Sequence, residues 1–205
     1  MQGCAYVDAM WKLLTTTLLP NLETFALIAA VDRKEEDEEE AVSLAGCLAS
    51  HFRDGDHFLL NMTALYLDAP IVAFLDADTF APFAAKLLVA YEPLLEIQQQ
   101  DWKKTEHLIQ HLAIHAADNA LELGILADAI SDPKQMPALR TLFIPSYLEQ
   151  ESEDEEFAEI AANLRLATET RKIKVISIYS EADWGFISGA WPIFKEMMVK
   201  EAGSA

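Results

Sequence analysis

The chain has 205 residues, of which 52% are hydrophobic and 24% charged, and it carries a formal net charge of -19. This length is enough for one domain with a large core that needs neither disulfides nor a structural metal. The negative field repels nucleic acid and anionic membrane surfaces, so it argues against direct binding to either and makes a basic protein surface the expected partner.

Cysteine content and hydropathy indicate the compartment. Cys4 and Cys47 are the only cysteines and are not spaced as a metal-binding pair, so they predict buried thiols in a reducing environment. The amino terminus has no basic region ahead of an apolar stretch, and no run of 18 apolar residues occurs. We therefore expect a cytoplasmic protein without a membrane span.

The first half of the chain shows mostly helical periodicity. Apolar residues at helical spacing predict helices over 6–19 and 21–30, separated at Pro20. Six consecutive acids then precede an apolar run and lie at or before a helix start, where the helix dipole favours them: Glu35, Glu36, Asp37, Glu38, Glu39 and Glu40. The apolar segment 71–75 is too short for periodicity to separate strand from helix, and its surroundings favour a helix.

The second half is also interpreted as mainly helical. Residues 79–100 predict a helix bent at Pro93, and residues 101–130 predict the longest helix of the chain. Three prolines within 131–150 indicate an irregular connection and the only plausible hinge. Ser152 and Glu155 fit a capping box for a helix that ends near Thr170.

One strand is predicted over residues 173–179, where lysine or serine alternates with β-branched residues, and a final helix follows Pro192. The strand's partner could be the 71–75 segment, an unassigned piece or another chain. The predicted fold class is thus mainly α: one multi-helix domain over 1–205, with at most a small β element near 173–179 and a hinge at 131–150.

A histidine stripe is the first candidate for chemistry. His107, His111 and His115 are four residues apart on the predicted long helix, and Asp118 and Glu122 continue the same face. Imidazoles one helical turn apart can converge on one ion, so the pattern predicts a divalent metal site. The alternative is the polar face of an amphipathic helix whose opposite side is apolar.

A pair of aspartates is the second candidate. Asp76 and Asp78 follow an apolar run and precede Thr79. This segment resembles the DxD motif of nucleotide-sugar glycosyltransferases, which implies a divalent ion held on a diphosphate. The alternative is that Asp78, with Thr79, caps the start of a helix.

The leading functional hypothesis is a non-enzymatic interaction protein, such as an inhibitor, an immunity-type protein or a nucleic-acid mimic. It would present carboxylates to a basic partner surface. The predicted binding residues are the six acids at 35–40 together with a second acidic group: Glu149, Glu151, Glu153 and Asp154. A metal-dependent helical enzyme that uses the histidine stripe is the alternative, and a DxD-type transferase is a further one.

Overall fold

A parallel β-sheet forms the centre of the molecule. A computed structural model describes residues 24–27, 62–68, 72, 75–91, 105–114, 120–149, 155–179 and 183–204. Six strands pair in chain order, and every neighbouring pair is parallel. They are β1 (Thr24–Leu27), β2 (Ala64–Asp68), β3 (Leu87–Tyr91), β4 (His111–Ile114), β5 (Thr141–Pro145) and β6 (Lys174–Ile178).

The described helices lie between β2 and β6 and after β6. The α-helices are α1 (Ala77–Phe80), α2 (Ala120–Ser131), α3 (Glu155–Arg171) and α4 (Asp183–Ala202). Short 3-10 helices span Ala81–Lys86, Glu106–Leu108 and Ser146–Glu149. None of the described helices combines the length and the apolar character that crossing a membrane requires.

The prediction of a mainly α fold with a small β element is wrong, because the described chain is an α/β arrangement around a parallel sheet. The segments predicted as helices over 21–30, 79–100 and 101–130 contain β1, β3 and β4. The strand predicted at 173–179 is confirmed as β6, and the helix predicted to end near Thr170 is confirmed as α3. β6 pairs with β5, a strand in the segment 131–150 that was expected to be irregular, so the alternative of an unassigned piece as its partner fits.

The described parts of the connections between strands pack on one face of the sheet. Leu65, Val89, Leu112 and Leu142 point to this face and belong to one buried cluster with side chains from the Ala81–Lys86 turn, α2 and α3. Right-handed crossovers between parallel strands in chain order account for this shared side. The opposite face carries a second buried cluster.

Helix α4 covers that second face. Ala190, Phe194 and Met198 of α4 pack in a second buried cluster with Tyr66 and Phe143 of the sheet. The Phe194 ring meets Phe143 edge-on, with 6.3 Å between ring centroids, and Trp191 meets Tyr66 in a similar way at 5.9 Å. Edge-to-face contacts of this kind stabilise the fold by more than the burial of the aromatic surface alone.

The segment expected to be an irregular hinge holds a central strand. β5 lies between β4 and β6, and all five of its residues are buried. Arg171, at the end of α3, donates hydrogen bonds to the carbonyl oxygens of Ile130 and Met136 and so ties α3 to the chain ahead of β5. Pro133 and Pro137 lie in the turns before β5, and Pro145 is its last residue, whereas a hinge at 131–150 stays a prediction.

Helix α3 turns into β6 through a left-handed residue. Lys172 has a φ of 58°, and the Ile173 amide donates to the Thr168 carbonyl at 2.9 Å. A residue in this conformation satisfies the last carbonyls of a helix and reverses the chain direction. The tight turn sets β6 beside β5.

Gly189 lets α4 approach the sheet closely. A Cβ atom at this position would lie 2.7 Å from Cγ2 of Ile178 in β6, whereas a Cβ at Gly124 in α2 would meet Ile160 at 3.6 Å, an ordinary contact. Close approach at Gly189 is needed because Ile178 is buried beneath α4.

We predict opposite effects of alanine at these two helix positions. Gly124→Ala should raise the free energy of unfolding by about 1 kcal/mol, because alanine favours a helix more than glycine does. Gly189→Ala should lower it by roughly 1 to 2 kcal/mol, because overpacking outweighs that gain. Urea unfolding of both variants is the measurement. Equal stabilisation by both substitutions would contradict the close contact between α4 and β6.

Candidate functional site

An apolar groove of about 320 Å³ lies at the β6 end of the sheet, between α3 and the last two strands. Its apolar lining consists of Leu142, Ile144, Leu148, Leu164, Ile173 and Val175, with Ala161 beside them. Arg165, Thr168 and Glu169 of α3 add polar groups. The groove exists because α3 packs over β5, while no further described helix follows β6 on that face.

Apolar side chains are exposed on the elements that form this groove. Val175 in β6 is 37% exposed, Leu166 in α3 is 64% exposed, and Tyr179, just after β6, is 74% exposed. Single exposed apolar residues are ordinary, and of these three Val175 lines the groove. The described end of the sheet therefore combines an uncovered strand with an unfilled apolar surface.

The start of α3, the helix that forms one wall of the groove, is acidic. Glu155, Glu156 and Glu159 are exposed on the first two turns of α3. This helix runs from the carboxyl end of β5 back to the amino end of β6, so its first turn lies near the carboxyl ends of both strands. The Phe157 ring lies 6.5 Å from that of Tyr147, which packs the helix start against the Ser146–Glu149 turn.

The structure describes one of the ten predicted partner-binding acids. Glu149 ends the 3-10 helix that leads out of β5, close in sequence to the start of α3. The residues Glu151, Glu153 and Asp154, and the whole acidic run from Glu35 to Glu40, lie outside the described residues. Glu155, Glu156 and Glu159 were not among the predicted site residues, although the first two continue the same acidic run in the sequence.

The prediction that the histidine stripe lies on one long helix is wrong. His107 is exposed in a 3-10 turn, whereas His111 is buried at the start of β4. His115 and Asp118 lie outside the described residues, and Glu122 belongs to a separate helix, α2. Within the described ranges, no three His, Cys, Asp or Glu side chains are grouped as metal ligands could be. The metal site stays a prediction, but the helical spacing of the histidines no longer supports it.

The aspartate pair lies at a helix start. The Phe80 amide donates to the Asp76 carbonyl at 3.0 Å, so Asp76 occupies the position just before the first turn of α1. Asp78 is exposed within that first turn. The structure fits the alternative in which these aspartates lie at the start of a helix. Asp76, and not Asp78, occupies the capping position. A carboxylate in the first turn is favoured by the helix dipole and needs no bound ion to explain it.

His111 is a buried polar residue on the face of the sheet that α4 covers. It is 4% exposed, and its ring lies 5.1 Å from the Phe194 ring. Burial lowers its pKa from 6.5 to about 4; a hydrogen bond with the Ala85 backbone acts in the opposite direction, and the positive charge of Arg140 adds to the lowering. Nδ1 has no hydrogen-bond partner. At neutral pH the side chain is therefore an uncharged core residue.

Comparison with known proteins adds no relative: no protein family, curated protein or solved structure matches the chain.

We predict that His111 makes the fold sensitive to mild acid. The unfolded chain binds a proton at His111 near pH 6.5, whereas the folded chain does so only near pH 4, so stability falls as the pH drops through this window. Between pH 7 and pH 5 this residue should cost about 2 kcal/mol of unfolding free energy. His111→Leu should remove that part of the pH dependence in urea unfolding. The same loss in wild type and variant would show that other groups cause it.

Proposed function

We propose that the chain is a non-enzymatic interaction protein that binds a basic partner surface, as an inhibitor or immunity-type protein does. The observation that carries the proposal is the groove of about 320 Å³ at the β6 end of the sheet, formed in part by α3, whose first two turns carry exposed carboxylates. An apolar surface supplies affinity on contact, and carboxylates steer a basic partner toward it.

The overall charge supports a basic partner. A net charge of -19 creates a long-range field that attracts cationic surfaces and raises the rate of encounter with them. Screening shortens this attraction to about 8 Å at physiological ionic strength, so binding that depends on it weakens as salt rises. The two widely spaced cysteines favour a cytoplasmic setting for this binding.

The acidic connection between β5 and α3 is the proposed recognition segment. It joins Glu149, at the end of a 3-10 helix, to Glu155, at the start of α3, and both positions lie at the carboxyl end of the last strands. Helix α3 is anchored by buried Leu164 and Ala167, so its fold does not depend on these charges. Charge and stability can therefore be separated by substitution.

We predict that neutralising this segment abolishes partner capture without unfolding the chain. The test variant is Glu149→Gln, Glu151→Gln, Glu153→Gln and Asp154→Asn. A matched control removes the same number of charges from α1, α2 and α4: Asp78→Asn, Asp128→Asn, Glu196→Gln and Glu201→Gln. Each full-length tagged protein is used to capture partners from an extract of its native host, with elution in steps of salt and identification by mass spectrometry.

The wild type and the control should capture basic proteins that elute as salt rises, and the test variant should not, with circular dichroism unchanged in all three. Equal loss in the test and control variants would assign binding to overall charge and not to this segment. Capture that neither salt nor substitution weakens would mean that apolar contact alone drives association, which contradicts the proposal.

A further inference from the structure

The contact between α4 and the sheet contains a buried polar ring. His111 lies in β4 on the face that α4 covers, and its ring centroid is 5.1 Å from that of Phe194. One ring nitrogen bonds to the Ala85 backbone, whereas Nδ1 has no hydrogen-bond partner among the described residues. A buried polar atom without a partner destabilises the contact that keeps water away from it.

Helix α4 is the element whose movement would bring water to this nitrogen. β4 is paired with β3 on one side and with β5 on the other, so a shift of His111 itself would break two rows of backbone hydrogen bonds. The described buried side chains of α4 are Ala190, Phe194 and Met198, which form a single stripe with one residue per turn. Separation of this stripe from the sheet is the smaller change.

Helix α4 also depends on packing more than most helices of its length. Pro192 lies inside it and has no amide to donate to the preceding turn. Gly189, which the close approach to Ile178 requires, adds backbone freedom in the unfolded state. The stripe over His111 therefore holds α4 in place, and a weakness in this contact weakens the whole helix.

We propose that α4 is a releasable cover of the sheet and that the unpaired nitrogen of His111 sets how readily this cover opens. In the open state the strands stay paired, α4 leaves the second face, and the rings of Tyr66 and Phe143 become accessible to water. The proposal does not depend on the binding function proposed above, because the groove lies on the opposite face of the sheet.

Mild acid should favour the open state. Burial lowers the pKa of His111 to about 4, the hydrogen bond with Ala85 opposes this change, and the Arg140 guanidinium adds to it, so the ring binds a proton more readily once it is hydrated. The other described charged residues in this row of the sheet, or beside Ala85 and Phe194 in the chain, are Lys86, Lys174, Lys195 and Glu196. Three of these are cations, and Glu196 is paired with Lys200, so they do little to stabilise a charged ring.

Native-state hydrogen exchange of the full chain in low urea, resolved by NMR and corrected for the intrinsic rate at each pH, tests the opening. At pH 7 the amides of residues 193–200 should be protected at least about tenfold less than those of β4 and β5, because α4 opens while the sheet stays folded. At pH 5 the protection of α4 should be about twentyfold lower than at pH 7, the factor expected when opening raises the pKa of His111 from about 4 to 6.5.

Two substitutions identify the cause of the opening. His111→Leu removes the unpaired nitrogen, so it should raise the protection of α4 by about tenfold at pH 7 and abolish the loss at pH 5. Thr168→Val is the matched control, because it replaces a buried polar side chain of α3 on the other face of the sheet. Thr168 stays buried when α4 opens, so this control should leave the protection of α4 within about twofold at both pH values.

Two results would overturn the proposal. Equal protection of α4, β4 and β5 at both pH values would show that the chain opens only as a whole. Weaker protection of α4 that neither acid nor His111→Leu changes would show that His111 does not control the opening. The wild-type measurements at the two pH values decide the question even if His111→Leu does not fold.

Discussion

The order of the strands is the constraint on which the rest of the structure depends. Six parallel strands follow one another in chain order, and crossovers of one hand place the described connections on a single face. Among the described residues, α4 covers the second face, where Phe194 packs against Phe143 and His111. The same order leaves β6 as a final strand that α3 covers only in part. The core, the need for Gly189 and the open groove all follow from this topology.

The elements that could be predicted from the sequence are those exposed to water. β6 has exposed residues on both faces, Lys174 on one and Ser177 on the other, so polar residues interrupt its apolar run, and α3 has an exposed polar face and a clear start. Strands such as β4 and β5 are buried on both faces, so their residues form unbroken apolar runs that periodicity cannot separate from a helix. For the same reason, 21–30, 79–100 and 101–130 were predicted as helices.

Of the candidate site, only the acidic run could be predicted from the sequence. This run reaches Glu155 and Glu156, whereas the groove depends on strand order, which no local pattern encodes. The histidine spacing suggested a shared face because a helix was assumed. Its first two members lie on a 3-10 turn and a strand, and His111 is buried beneath α4 with an uncharged ring.

The pairing of β6 with β5 fixes where the described sheet ends. Residue-resolved amide hydrogen exchange by NMR measures this pairing at single residues. We expect slow exchange at Lys174 and Ile176, whose amides point to β5, and faster exchange at Val175 and Ser177, whose amides point away from it. Four equally protected amides would contradict the position of β6 as the last strand of the sheet.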